Sequence, residues 1–246
     1  MKLKFESTRR VESFDADLHN SLKISSIFNY LQDIASQHAD MLGVGYNMLQ
    51  ENQIFWVLSW AKVEIKSLPS YGETMKIKTW AKGKERLFYM RDYIIYNDKG
   101  DELVKATSAW LLLDAKTKRM TDLSKIGLEL PSFPEEHALK EYPGKFNYPM
   151  DGATHYDRKI FYSDIDINQH VNNARYIEFI LDCYNQNEHN EKKVSSLTIG
   201  YKGETHFMDE LEIFRSTLPE KKSTDFIKAV RKEDSRDIFN ALIEWK

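Results

Sequence analysis

The sequence predicts an α+β fold of two similar units in tandem, each a helix wrapped by an antiparallel sheet. Three observations carry this. A long helical pattern is followed by four strand-like runs; a proline-rich stretch interrupts them; the same order of helix and strands then restarts. The 246 residues suffice for two units of roughly 120.

In the first unit, Leu22, Ile27, Phe28, Leu31, Ala35, His38 and Leu42 recur at helical spacing. Ser21 is placed to cap this helix, and Gly43 and Gly45 to end it. Residues 54–66 are β-branched and aromatic, and residues 69–72 break them. Further strand-like runs lie at 75–80, 87–96 and 103–113, the last two joined by the turn Asn97-Asp98-Lys99-Gly100. Residues 115–150 then hold four of the six prolines, Pro131, Pro134, Pro143 and Pro149, which reads as a crossing segment. Beyond it, residues 171–184 are helical, with Val171, Ala174, Ile177, Leu181 and Tyr184 on one face. Strand-like runs follow at 194–203, 210–217, 224–232 and 237–245. The expected organisation is a first unit over 1–130, a linker over 131–150 and a second unit over 151–246.

The halves also match weakly in sequence. Phe14-Asp-Ala-Asp17-Leu resembles Ser163-Asp-Ile-Asp166-Ile at an offset of 149, and Val57-Leu-Ser59 resembles Val194-Ser-Ser196 at 137. Such self-similarity points to a duplicated unit. One helix with four or five antiparallel strands packs by curling the sheet around the helix. Two such sheets joined edge to edge remove two open edges. This is the tandem, or double, hotdog arrangement.

Composition excludes several classes. Apolar residues make up 41% and charged residues 30%, a globular balance. No apolar run approaches the ~20 residues of a membrane helix, so no membrane insertion is expected. Neither half has the basic excess of a nucleic-acid binder. The first residues lack the apolar core of a signal peptide, and the single Cys183 excludes an internal disulfide. A cytoplasmic protein is expected. No two glycines lie four apart, so there is no GxSxG elbow; HExxH and Walker loops are also missing. No histidines are spaced as a metal site, and Cys183 reads as a packing thiol. Neither a metal nor a cofactor is expected.

The residues from Phe161 to Asn173 are the most unusual stretch. Asp164, Asp166, Asn168 and His170 alternate with other residues and lead into a helix, with Asn172-Asn173 beyond. Alternate residues of an extended segment point the same way. The first N–H groups of a helix are open to a developing oxyanion, and histidine can move a proton near neutral pH. Helix capping explains one or two of these residues, not all of them together.

The block Ser163-Asp-Ile-Asp-Ile-Asn-Gln-His-Val-Asn-Asn-Ala-Arg-Tyr176 resembles the signature of the acyl-acyl carrier protein (acyl-ACP) thioesterases of plants and bacteria. Tyr201-Lys-Gly-Glu204-Thr205 is similar to the family's Tyr-Arg-Arg-Glu-Cys segment, and Trp56-Val-Leu-Ser59 and Arg86-Leu-Phe88 extend the resemblance into the first half. The resemblance implies a double hotdog, hydrolysis of fatty acyl thioesters without a metal, and a polar site of Asp166, Asn168, His170 and Glu204. It implies a carrier protein bearing a phosphopantetheine-linked acyl chain as partner, and leaves a homodimer open. Thr205 stands where plant members carry cysteine, so a thiolate cannot act there and water becomes the nucleophile.

On this reading Glu204 is the general base, Asn168 and His170 hold water and carbonyl, Asp166 orients the loop, and helix N–H groups near Val171 and Asn172 meet the oxyanion. The division of the base role between Glu204 and His170 stays open. The first unit supplies the acyl-chain pocket, and His38 is a core histidine. Lys82, Lys84, Arg86, Lys116, Lys118, Arg119, Lys192 and Lys193 are candidates for contacting an acidic carrier. The alternatives are an acyl-coenzyme A thioesterase, a non-catalytic acyl-binding hotdog protein and, fitting less well, a hotdog dehydratase.

Overall fold

The computed structural model describes residues 3–140, 144, 146–150 and 152–246; Pro143 of the expected linker lies outside the described residues. The chain divides into two compact units, residues 1–141 and 142–246. The first runs β1 (Lys4–Arg10), α1 (Ile24–Met41), α2 (Tyr46–Glu51), β2 (Ile54–Ile65), β3 (Thr74–Glu85), β4 (Phe88–Asn97) and β5 (Glu102–Asp114). Its strands pair antiparallel in the order β1-β3-β4-β5-β2. The second runs β6 (Thr154–Lys159), α3 (Asn173–Leu181), α4 (Gln186–Glu191), β7 (Val194–Tyr201), β8 (Glu210–Leu218), β9 (Lys221–Arg231) and β10 (Asp237–Trp245). Its strands pair antiparallel in the order β6-β8-β9-β10-β7, the same topology strand for strand.

Apolar periodicity located the inner strands but not β1 or β6. Both are short edge strands, KFESTRR and THYDRK, with charge on both faces, as edges usually are. The helices follow their apolar stripes. Ile27, Phe28, Leu31, Ile34 and Ala35 of α1 are buried, as are Ala174, Ile177, Phe179 and Ile180 of α3. Each large apolar side chain so buried contributes about 1.5–3 kcal/mol. His38 is a core residue as expected: it is fully buried, with Nδ1 2.8 Å from Arg91 Nη1. Ser21 does not cap α1. The helix starts later, with Lys23 at the N-cap.

The stretch 131–140, expected as linker, covers the other face of the first sheet. Side chains alternate across β4, so Arg91 meets α1 while Asp92 and Ile94 point away from it. Ala138 packs with Trp80 and Ile94. Buried Asp92 accepts the Ala138 N–H at 2.7 Å and sits 3.4 Å from Lys82 Nζ, which also donates to Leu139 O. Lys82, a candidate for carrier contact, is therefore an internal tie. The segment crosses β3 where Gly83, at φ +136°, leaves room; Ser132 Oγ lies 2.6 Å from the position of a Cβ.

One turn occurs twice, at the offset of 149 seen in sequence. In the first unit, Asp17 N–H donates to Ser21 O, Asn20 N–H to Asp17 O and Lys23 N–H to Asp15 O. In the second, Asp166 N–H donates to His170 O, Gln169 N–H to Asp166 O and Asn172 N–H to Asp164 O. Asp17 Oδ1 accepts from His19 N–H at 2.9 Å, and Asp166 Oδ1 from Asn168 N–H at 2.8 Å. Asn20 and Gln169 share a positive φ, 62° and 65°. Each turn is bonded to the loop between two strands of its own unit, Leu22 N–H to Pro69 O and Tyr71 N–H to Asn20 O in the first, and Val171 N–H to Thr205 O in the second.

The second turn hangs on buried Asp164. Its carboxylate accepts from the Phe161 N–H at 2.9 Å, from Arg158 at 3.0 Å, and from Arg175 Nε and Nη2 at 3.0 and 2.7 Å. Burial alone would raise its pKa, but the Phe161 N–H and the two guanidinium groups hold it below the ordinary 3.8. A depressed carboxylate pKa contributes stability that is present above the unfolded value and lost as pH falls through the folded one. Asp164→Asn is expected to lower unfolding stability by about 3 kcal/mol at pH 7. The gap between variant and wild type in urea melts should close below about pH 4. Asp92→Ala, which strands Lys82 and the Ala138 N–H, should cost a similar ~3 kcal/mol and speed hydrogen exchange across 133–140 first.

Candidate active site

The duplicated turn separates scaffold from chemistry. Where the second unit carries Asn168 and His170, the first carries His19 and Ser21 on the same backbone. Asp166 is common to both as Asp17, and in both it accepts the N–H two residues on. Asp166 is thus a turn-forming residue. The residues peculiar to the second unit are the ones free to do something else.

Of the four residues expected to form the site, the structure brings His170 and Glu204 into direct contact. His170 Nε2 lies 3.3 Å from Glu204 Oε2, and the two side chains are 35% and 57% exposed. The pair is therefore open to a substrate. Asn168 is exposed beside it in sequence, its amide Nδ2 3.5 Å from Asp166 Oδ2. The expectation that Asp164, Asp166, Asn168 and His170 share one face is not met, because the segment is not extended: Asp164 ends a 3-10 turn over 162–164, and residues 166–170 close a second turn with Gln169 at positive φ. Asp164 points inward to its arginines, and Asp166 is bonded within the turn.

Glu204 is set by the segment leaving β7. Thr205 is fully buried, and its hydroxyl lies 2.7 Å from the Tyr176 hydroxyl on α3. Burial pushes the Tyr176 pKa up to about 12, so this is a neutral pair of hydroxyls. Thr205 thus faces the core, while exposed Glu204 and His206 flank it on the opposite side. Thr205 meets no base. Cys183 is no substitute, since burial pushes its thiol up to about 12.

Two expectations change. The N–H groups of Val171 and Asn172 do not await an oxyanion, because they donate to Thr205 O and Asp164 O. For the same reason α3 begins only at Asn173, with the Asn172 side chain capping Ala174 N–H. The second change is an addition. His206, not singled out by sequence, stacks edge-on against His170 with ring centroids 4.9 Å apart. Its Nδ1 is 4.0 Å from Asp209 Oδ2, which also accepts the His206 N–H. The signal was the spacing Glu204-Thr-His206, two polar residues around one that packs.

Comparison with known proteins agrees with the architecture. The family described as acyl-ACP thioesterase N-terminal domain matches residues 2–126, and acyl-ACP thioesterase C-terminal domain matches residues 150–246. An acyl-acyl carrier protein hydrolase of Cuphea viscosissima is 26% identical over 251 residues, covering 96% of this chain and 60% of that protein. A palmitoyl-acyl carrier protein thioesterase of Arabidopsis thaliana is 28% identical over 218 residues, covering 82% of this chain and 52% of that protein. The chain thus spans about three fifths or less of the length of these curated relatives. The solved acyl-ACP thioesterase of Bacteroides thetaiotaomicron superposes with a TM-score of 0.91 at 26% identity, covering 99% of this chain and 98% of that one. The 12:0-ACP thioesterase of Umbellularia californica shares the fold, with a TM-score of 0.87 at 21% identity over 100% of this chain and 98% of that one. Two tandem helix-and-sheet units and the family matches over both lead to one conclusion: the chain belongs to the acyl-ACP thioesterase family.

Proposed function

We propose that the chain hydrolyses fatty acyl-ACP thioesters, with the exposed His170–Glu204 pair activating the attacking water. The 3.3 Å contact between the two side chains is the observation that carries this reading. Glu204 accepts the proton of a water; His170, held against it, orients the water and shares the proton. The water oxygen bonds to the thioester carbonyl carbon, and the carbonyl electrons move onto oxygen. Since the helix-entry N–H groups are engaged, we assign the oxyanion contact to the exposed Asn168 amide, which turns from Asp166 Oδ2 to donate to it. Collapse breaks the C–S bond and releases the phosphopantetheine thiolate, which takes up the proton, and the free fatty acid. Asp166 acts by shaping the turn that carries Asn168 and His170.

The acyl chain is assigned to the first unit, between α1 and its sheet. The gap there is about 20 Å³, lined by Phe28, Leu31, Leu58, Tyr93 and Trp110 among others. That is room for about one water, so an acyl chain enters by displacing these side chains. The carrier is assigned as ACP. Among the described residues no helix is long and apolar enough to cross a membrane. A cytoplasmic location remains the reading from the single cysteine.

Thiol release from acyl-ACP and acyl-coenzyme A of varied chain length tests the proposal. Glu204→Gln and His170→Ala should each lower kcat by roughly 10²–10⁴-fold with KM little changed. Wild-type turnover in both variants would sink the assignment, and faster release from coenzyme A would move the substrate to that carrier. Thr205→Val should keep kcat while lowering stability by about 1 kcal/mol; loss of turnover in a folded Thr205→Val would restore a nucleophilic role for that hydroxyl.

A further inference from the structure

His206 adds a third ligand type to the His170–Glu204 pair. One ring nitrogen from each histidine and a carboxylate oxygen of Glu204 all lie within 4.8 Å of one another. Two imidazoles and one carboxylate form a known protein ligand set for zinc, whose fourth position goes to water. Bonds of about 2.0–2.2 Å at tetrahedral angles put ligand atoms about 3.3–3.5 Å apart. The His170 Nε2 to Glu204 Oε2 distance, 3.3 Å, already has that span. His206 must approach further, and its side chain, 53% exposed, is not packed against such a movement. Metal-bound histidines usually give their other ring N–H to an outer partner. Asp209, 4.0 Å from His206 Nδ1 and held by Arg231 at 3.2 Å, stands where that partner belongs.

The backbone suits a ligand cluster too. Thr205 is locked into the core between Glu204 and His206, so both side chains project from one anchored stretch of the segment between β7 and β8. His170 comes from a turn tied to that same segment by the Val171 N–H to Thr205 O bond. Little backbone ordering is left for a metal to impose.

We propose that His170, Glu204 and His206 bind Zn²⁺ reversibly, and that the bound ion inhibits hydrolysis. The inhibition follows from the proposed role of His170 and Glu204, on which this inference rests. A carboxylate and an imidazole whose lone pairs are held by zinc cannot take a proton from water. Catalysis on the metal-free chain and capture of the ion then compete for the same two side chains.

The test is calorimetric titration of zinc chloride into the full, metal-free chain, beside turnover measured with EDTA or with added zinc. Wild type is expected to bind one zinc at micromolar affinity and to lose turnover in step with occupancy, with recovery on adding EDTA. His206→Ala should weaken zinc binding at least about tenfold, since even outer partners of metal ligands carry that much. It should also shift zinc inhibition, taken relative to its own zinc-free rate, by the same factor. His155→Ala removes the histidine of a separate surface pair, His155–Glu212 at 3.6 Å, and should leave the tight site unchanged. Millimolar binding to wild type, binding indifferent to His206→Ala, or zinc that binds without lowering turnover would each overturn the inference. The calorimetric arm needs no turnover, so failure of the metal site and failure of the hydrolase reading register separately.

Discussion

The buried carboxylate of Asp164 is the constraint on which the second unit's site depends. A carboxylate inside an apolar fold is tolerable only when its charge is met and its lone pairs are filled. Here two guanidinium groups and the Phe161 N–H do both. Arg158 comes from β6 and Arg175 from α3, so one side chain ties an edge strand, the turn and the helix. With Asp164 fixed, its carbonyl receives the Asn172 N–H, α3 starts where it does, and His170 is left on the last residue pair of the turn. The polar run that reads as a row of catalytic groups is thus mostly a hydrogen-bonded framework, which carries His170 out to Glu204.

The first unit shows the framework without the chemistry. Its turn keeps the same backbone bonds around Asp15 and Asp17, but buried Asp15 takes its hydrogen bond from the Tyr30 hydroxyl at 2.6 Å rather than from arginines. Ser21 and His19 occupy the places of His170 and Asn168. The same architecture thus carries different polar groups: one copy holds the exposed His170–Glu204 pair at its surface, and the other keeps His38 and Arg91 buried between helix and sheet.

Much of the fold was legible in sequence because burial writes itself as periodicity. Leu22 to Leu42 recur at helical spacing, and the β-branched and aromatic runs of β4, β5, β9 and β10 match strands with continuous stretches of buried residues. The edge strands β1 and β6 were not legible, since one-sided pairing leaves them no apolar pattern. Residues 131–140 misled for a different reason. Their prolines signal a connection, while the buried Asp92 that recruits them lies some forty residues earlier in the chain. At the site, residue types were readable and directions were not. Alternation suggested that four polar residues face one way, but two successive turns, one over 162–164 and one over 166–170, replace the extended backbone that alternation requires. His206 escaped notice because its partner His170 is distant in sequence and is brought near by the tertiary ties of Val171 and Tyr176 to Thr205.

That buried threonine has a wider consequence. It works as a rivet, with the backbone pinned on one side and two outward positions left unconstrained by packing. Positions 204 and 206 can therefore vary in charge, length and metal affinity without asking the core to adapt. New proton donors or ligands at these two positions would therefore alter the surface chemistry while the Thr205 anchor stays in place.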